Sequence, residues 1–62
     1  MTSRLLRMED VSDMTGVPVN TLRYWRQKGA GFGPVSVRIG RRVVYREADV
    51  EAWIAAQFKA AT

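Results

Sequence analysis

The five residues Thr15-Gly16-Val17-Pro18-Val19 constrain this chain more than any other segment. Ahead of them, Met8 to Thr15 reads as a short helix. Its acids Glu9, Asp10 and Asp13 lie in and near the first turn, where negative charge complements the helix dipole. Gly16 comes next and reads as the stop. Pro18 cannot sit in a helix interior, but it suits a turn or a first helical turn. A second helix then runs from about Val19 to Lys28 and is ended by Gly29. Each helix needs an apolar side to bury. On the first, that side is Val11 and Met14 together with the preceding Leu6. On the second it is Val19, Leu22 and Gly29, with Trp25 at its margin.

Two helices joined by a few residues containing glycine form a helix-turn-helix pattern. The second half of the chain differs in kind. Ala30-Gly31-Phe32-Gly33-Pro34 is too rich in glycine and proline for a regular element. Val35 to Ile39 alternates apolar and polar residues, and Arg42 to Tyr45 is again rich in β-branched side chains. The Gly40-Arg41 connection, with glycine first, makes these two runs a β-hairpin. A helix from about Glu47 to Phe58 closes the chain, with Val50, Trp53 and Ile54 at core-facing spacing and Ala60 to Thr62 fraying. The expectation is one domain over residues 1–62, mostly α with a small β-hairpin, in the order helix-helix-strand-strand-helix.

At 62 residues, without cysteine or histidine, this fold has neither disulfides nor ordinary zinc sites to help it. It rests on aliphatic and aromatic packing alone. No apolar run approaches the roughly 20 residues of a membrane span, and no signal-peptide pattern opens the chain. A soluble, cytoplasmic protein is expected, bound to no membrane and holding no metal or cofactor.

Charge is distributed unevenly. Between Met14 and Glu47 there is no acid, while Arg23, Arg26, Lys28, Arg38, Arg41, Arg42 and Arg46 all fall there. Such a block makes one side of a small protein positive, which suits a polyanion, although a solvated basic face would look the same in composition.

The second helix narrows the choice. At about 100° per residue, Asn20, Arg23, Tyr24 and Gln27 fall opposite the apolar side, with Thr21 and Lys28 at the edges. Arginine can pair with guanine, and asparagine or glutamine with adenine. Tyr24 offers a ring to a sugar or a hydroxyl to a phosphate. The N-terminal half of such a helix usually reaches base edges, and Asn20, Thr21, Arg23 and Tyr24 lie there. Thr21 could equally help start the helix, and Arg26 reads as a packing or surface residue. Trp25 and Trp53 read as core.

The hairpin would then be a wing beside that helix. Arg38, Arg41 and Arg42 bring three charges to one ribbon, suited to phosphates or a narrow minor groove. Blunting of an exposed strand edge is the alternative, but lysine would serve that purpose as well.

Thr15-Gly-Val-Pro-Val-Asn-Thr-Leu-Arg-Tyr-Trp-Arg-Gln-Lys-Gly29 resembles the start of a MerR-type DNA-binding domain, most specifically in Thr21-Leu22-Arg23-Tyr24-Trp25. Val37 to Tyr45, followed by Asp49-Val-Glu-Ala-Trp-Ile54, resembles the wing and closing helix of phage excisionases (recombination directionality factors) and AlpA-like regulators. The resemblance implies a winged helix-turn-helix contacting double-stranded DNA through Asn20, Thr21, Arg23, Tyr24, Arg41 and Arg42. Full-length MerR regulators continue into a dimerising helix and an effector-binding region, and no heptad seam is present here, so no small-molecule effector is expected.

The leading expectation is a phage excisionase. In that group protomers are expected to sit side by side on repeated sites, bend the DNA and steer an integrase toward excision. A small AlpA-like transcriptional regulator would use the same groove contacts at a promoter. A protein-interaction module of the anti-repressor type would instead depend on an apolar patch. An enzyme is the weakest reading, because there is no histidine or cysteine and the acids lie at helix starts.

Overall fold

Gly16 and Gly29 punctuate the chain where the sequence places its helix ends. The computed structural model describes residues 4–29 and 32–61. Within them run β1 (Leu5–Leu6), α1 (Met8–Thr15), α2 (Val19–Lys28), β2 (Ser36–Ile39), β3 (Arg42–Arg46) and α3 (Glu47–Ala61). Gly16 takes φ 77° and its N–H donates to the Ser12 carbonyl at 2.8 Å, which closes α1 in the left-handed conformation glycine tolerates best. The expected loop at Ala30-Gly31 and the fraying of Thr62 lie outside the described residues.

The order α1-α2-β2-β3-α3 is that of a winged helix-turn-helix, as expected. The sheet adds a strand that the sequence does not announce. β1 pairs antiparallel with β3, Leu5 opposite Arg46 and Leu6 opposite Tyr45, which makes β3 the centre of the order β1-β3-β2. Two residues are too few to display an alternation, so this strand is defined by its partner rather than by its own pattern. The Glu47 N–H donates to the Arg4 carbonyl at 2.8 Å and carries the pairing one step further.

Leu6, Val11, Leu22, Tyr45 and Val50 form the buried core, with Met8, Val17, Trp25, Val43 and Ile54 packed against it. Trp25 and Trp53 meet at 5.9 Å between ring centroids, tilted by 56°, and so tie α2 to α3. Trp25 packs against the core, as its helical register indicates, whereas Trp53 is half-buried and meets the Trp25 ring.

Two expectations need correction. Met14 is 41% exposed, because the core lies under the first half of α1 and takes Met8 beside Val11 instead. The closing helix continues past Phe58 to Ala61, since alanine is the best helix former and nothing after Phe58 breaks the turn.

The hairpin is asymmetric across its two faces. Its register sets Ser36 opposite Tyr45 and Val37 opposite Val44. Tyr45 points into the core, whereas Val35, Val37 and Ile39 are exposed, as is Leu5 of β1. Apolar residues therefore lie on the outer face of the sheet as well as the inner one. The loop before β2 closes tightly on α2: at Gly33 (φ 71°) a Cβ would stand 2.6 Å from the Trp25 ring.

Candidate nucleic-acid interface

α2 starts on Pro18, whose carbonyl accepts the N–H groups of Thr21 (3.0 Å) and Leu22 (3.1 Å). That start rotates Leu22 into the core and leaves Asn20, Arg23, Tyr24, Gln27 and Lys28 exposed, with Thr21 half-buried. The polar face anticipated for this helix is present, and it divides into two flanks.

On one flank, Arg23 Nη1 donates to Asn20 Oδ1 at 3.4 Å, one turn back. Arg23 and Gln27 also line a cleft of about 710 Å³ that runs between the start of α1, α2 and β3. Arg42 faces them from the wing, and Val43 and Met8 supply apolar wall. On the other flank, Lys28 Nζ lies 5.6 Å from the Tyr24 ring centroid and 5.8 Å from that of Phe32. Its charge is thereby shared between two aromatic faces.

Arg26 stands between helix and wing. Its Nη1 donates to Ser36 Oγ at 2.9 Å, and Ser36 stands opposite Tyr45 in the hairpin register. Burial raises the Tyr45 phenol above its ordinary pKa, against the opposing influence of the Arg26 charge and the Ser36 hydroxyl. A hydrogen bond thus adds to apolar packing in placing β2 against α2.

The wing arginines are not equivalent. Gly40 (φ 62°) and Arg41 form the tip, and Arg38, Arg41 and Arg42 are all exposed. Arg42 reaches the cleft, while Arg38 and Arg41 stand outside it. Arg46 is tied to Asp49 by paired bonds, Nε to Oδ2 at 2.7 Å and Nη2 to Oδ1 at 3.2 Å, which holds its guanidinium above its ordinary pKa. It serves the junction between β3 and α3.

The structure therefore brings Arg23, Gln27 and Arg42 together, sets Tyr24 and Lys28 on the opposite flank of α2, and leaves Arg38 and Arg41 projecting on the ribbon. Sequence reasoning passes over Arg7, which shares the cleft, and treats Arg26 as a packing or surface residue although it both fixes the wing and lines that cleft. A signal for Arg7 exists in the sequence: it directly precedes α1, where a Ser, Thr, Asp or Asn is the usual residue.

Among the described residues, no cluster of acids, histidines or cysteines is fit to hold a metal ion, and no helix is long and apolar enough to cross a membrane. A family model described as a helix-turn-helix domain matches residues 5–57, which spans every element from β1 into α3. The chain matches no curated protein and no solved structure.

Proposed function

This chain belongs to the helix-turn-helix domain family, a DNA-binding one, and we propose that it is an architectural double-stranded DNA-binding protein of the phage excisionase type. In this reading α2 enters the major groove. Asn20, Thr21, Arg23 and Tyr24 reach base edges, with Gln27 and Lys28 toward the flanking backbone. Arg38, Arg41 and Arg42 track the adjoining phosphates or minor groove. The observation that carries it is the placement of Arg42 on the wing across one cleft from Arg23 and Gln27 on α2. Helix and ribbon thus offer donors to the same stretch of duplex.

One module of this size buries only about 600–1,000 Å² on DNA, which favours cooperation between neighbouring copies on repeated sites. A shared curved duplex would offset a bending cost of a few kcal/mol. The exposed outer sheet face of Leu5, Val35, Val37 and Ile39 supports a protein contact in that arrangement, with a neighbouring copy or an integrase.

The test is selection of bound sites from randomised duplex DNA, followed by titration on the recovered sequences. Closely spaced direct repeats, shifted cooperatively and lying beside an attachment site, are the expected result. A single or palindromic site beside a promoter would replace the excisionase with a small transcriptional regulator. No binding at low salt would sink the DNA reading and leave a protein-interaction module.

A further inference from the structure

The residue before α1 is a poor one for that helix. An N-cap side chain normally accepts a hydrogen bond from the first-turn amides, which a guanidinium, having no acceptor, cannot do. Only the reciprocal bond is made: the Arg7 N–H donates to Asp10 Oδ2 at 3.0 Å. A serine here would complete the pair of bonds, so an arginine lowers the stability of α1 and calls for a use of its charge elsewhere.

That use lies in the cleft between α2 and the wing. Four guanidiniums line it, from Arg7, Arg23, Arg26 and Arg42, against the single carboxylate of Glu9. Arg26 is engaged by Ser36 and Arg23 by Asn20. Arg7 and Arg42 make no side-chain hydrogen bond or ion pair with any described residue, unlike Arg46 with its Asp49. Uncompensated like charges around a partly apolar hollow repel one another until an anion arrives, and a planar guanidinium fits phosphate oxygens in pairs.

The geometry points to Arg7 and Arg42 as a clamp on the phosphate backbone of DNA crossing this cleft, Arg7 from the start of α1 and Arg42 from the wing. The inference rests on the DNA-binding reading and adds to it a contact from outside both the recognition helix and the wing. It also assigns Arg7 a role independent of sequence, because phosphates fix register and carry no base identity.

Arg7→Ser separates the two consequences of this residue. It supplies a proper cap, so the melting temperature should rise by a few degrees. It also removes one phosphate contact, so the slope of log affinity against log salt should become shallower by about 0.9. Affinity for a selected site and for random duplex should fall by the same factor. Arg7→Gln should reproduce the change in slope, and Arg7→Lys should restore most of it.

An unchanged slope in Arg7→Ser and Arg7→Gln, with the wild type binding normally, would overturn the clamp while leaving the DNA reading intact. A larger loss on the selected site than on random duplex would overturn it too, by making Arg7 a base reader. Inorganic phosphate at matched ionic strength provides the remaining arm. Stabilisation of the wild type but not of Arg7→Ser by phosphate, with no change in DNA slope, would mean a free-anion site and end the proposal. A wild type that binds no DNA at all would remove the proposed function and the clamp together.

Discussion

Arg26 on α2 donates to the Ser36 hydroxyl on β2 at 2.9 Å, and the two residues together fix the angle between helix and wing. Ser36 is paired in register with Tyr45 on the neighbouring strand, so the bond reaches the sheet beside a core residue. This joint adds to the apolar packing of Leu22 and Trp25 of α2 in the cluster that holds Tyr45 and Val43 of β3.

Ser36→Ala should therefore lower stability by about 1 kcal/mol, the ordinary net worth of a partly buried hydrogen bond. Urea titration measures this directly. DNA affinity should fall as well, because the wing loses its tether to α2. A variant with an unchanged denaturation midpoint would show that the joint is not a structural one.

Tyr45 makes stability sensitive to alkaline pH. Its folded-state pKa is raised, chiefly by burial, so the folded protein favours the neutral phenol more than the unfolded chain does. The stabilisation this represents is complete below the ordinary value of 10.0 and is lost as pH rises through the folded-state value. The wild type should lose stability above pH 10 faster than Tyr45→Phe, as followed by thermal melts across that range. Parallel curves for the two proteins would exclude Tyr45 as the cause.

Gly33→Ala should be costly out of proportion to its size. The backbone there is left-handed, and the added carbon would meet the Trp25 ring at 2.6 Å. Strain of about 1–2 kcal/mol from the conformation adds to the displacement of a core tryptophan. A fall in melting temperature with altered tryptophan fluorescence is the expected signature. Gly40→Ala has the strain without a neighbour to strike and should lose less.

Arg23→Ala and Arg41→Ala should fail differently. Loss of a base contact from Arg23 would weaken the selected site by about 1–3 kcal/mol and random duplex by less. Loss of a phosphate contact from Arg41 would weaken both equally and reduce the salt slope by about 0.9. Competition titrations at two or more salt concentrations distinguish them, and unchanged sequence preference in Arg23→Ala would refute α2 as the reading helix.

The helices and the hairpin are legible in the sequence because their signals are local. Gly16, Pro18 and Gly29 set the limits of α1 and α2, and Gly40 marks the turn of the ribbon. Whatever depends on a distant partner is not legible in this way. Leu5-Leu6 becomes a strand only against Tyr45 and Arg46, and Met14 is left outside because Met8 is nearer the core. For the same reason Arg7 looks like an ordinary charged residue. Its place in the cleft comes from how α1 meets α2 and β3, which no spacing along the chain encodes. The donors on α2 are readable one by one, but their division into a cleft flank and an aromatic flank needs Arg42 and Phe32 in position.

The strand order β1-β3-β2 also imposes a sequence of events in time. β2 and β3 are adjacent along the chain and can zip early, whereas Leu6 must wait for Tyr45, far along the chain. Closing that span costs more chain entropy than closing the hairpin. Because β3 is the partner of both other strands, a chain cut short before Arg42 would have no sheet to complete, however well its helices formed.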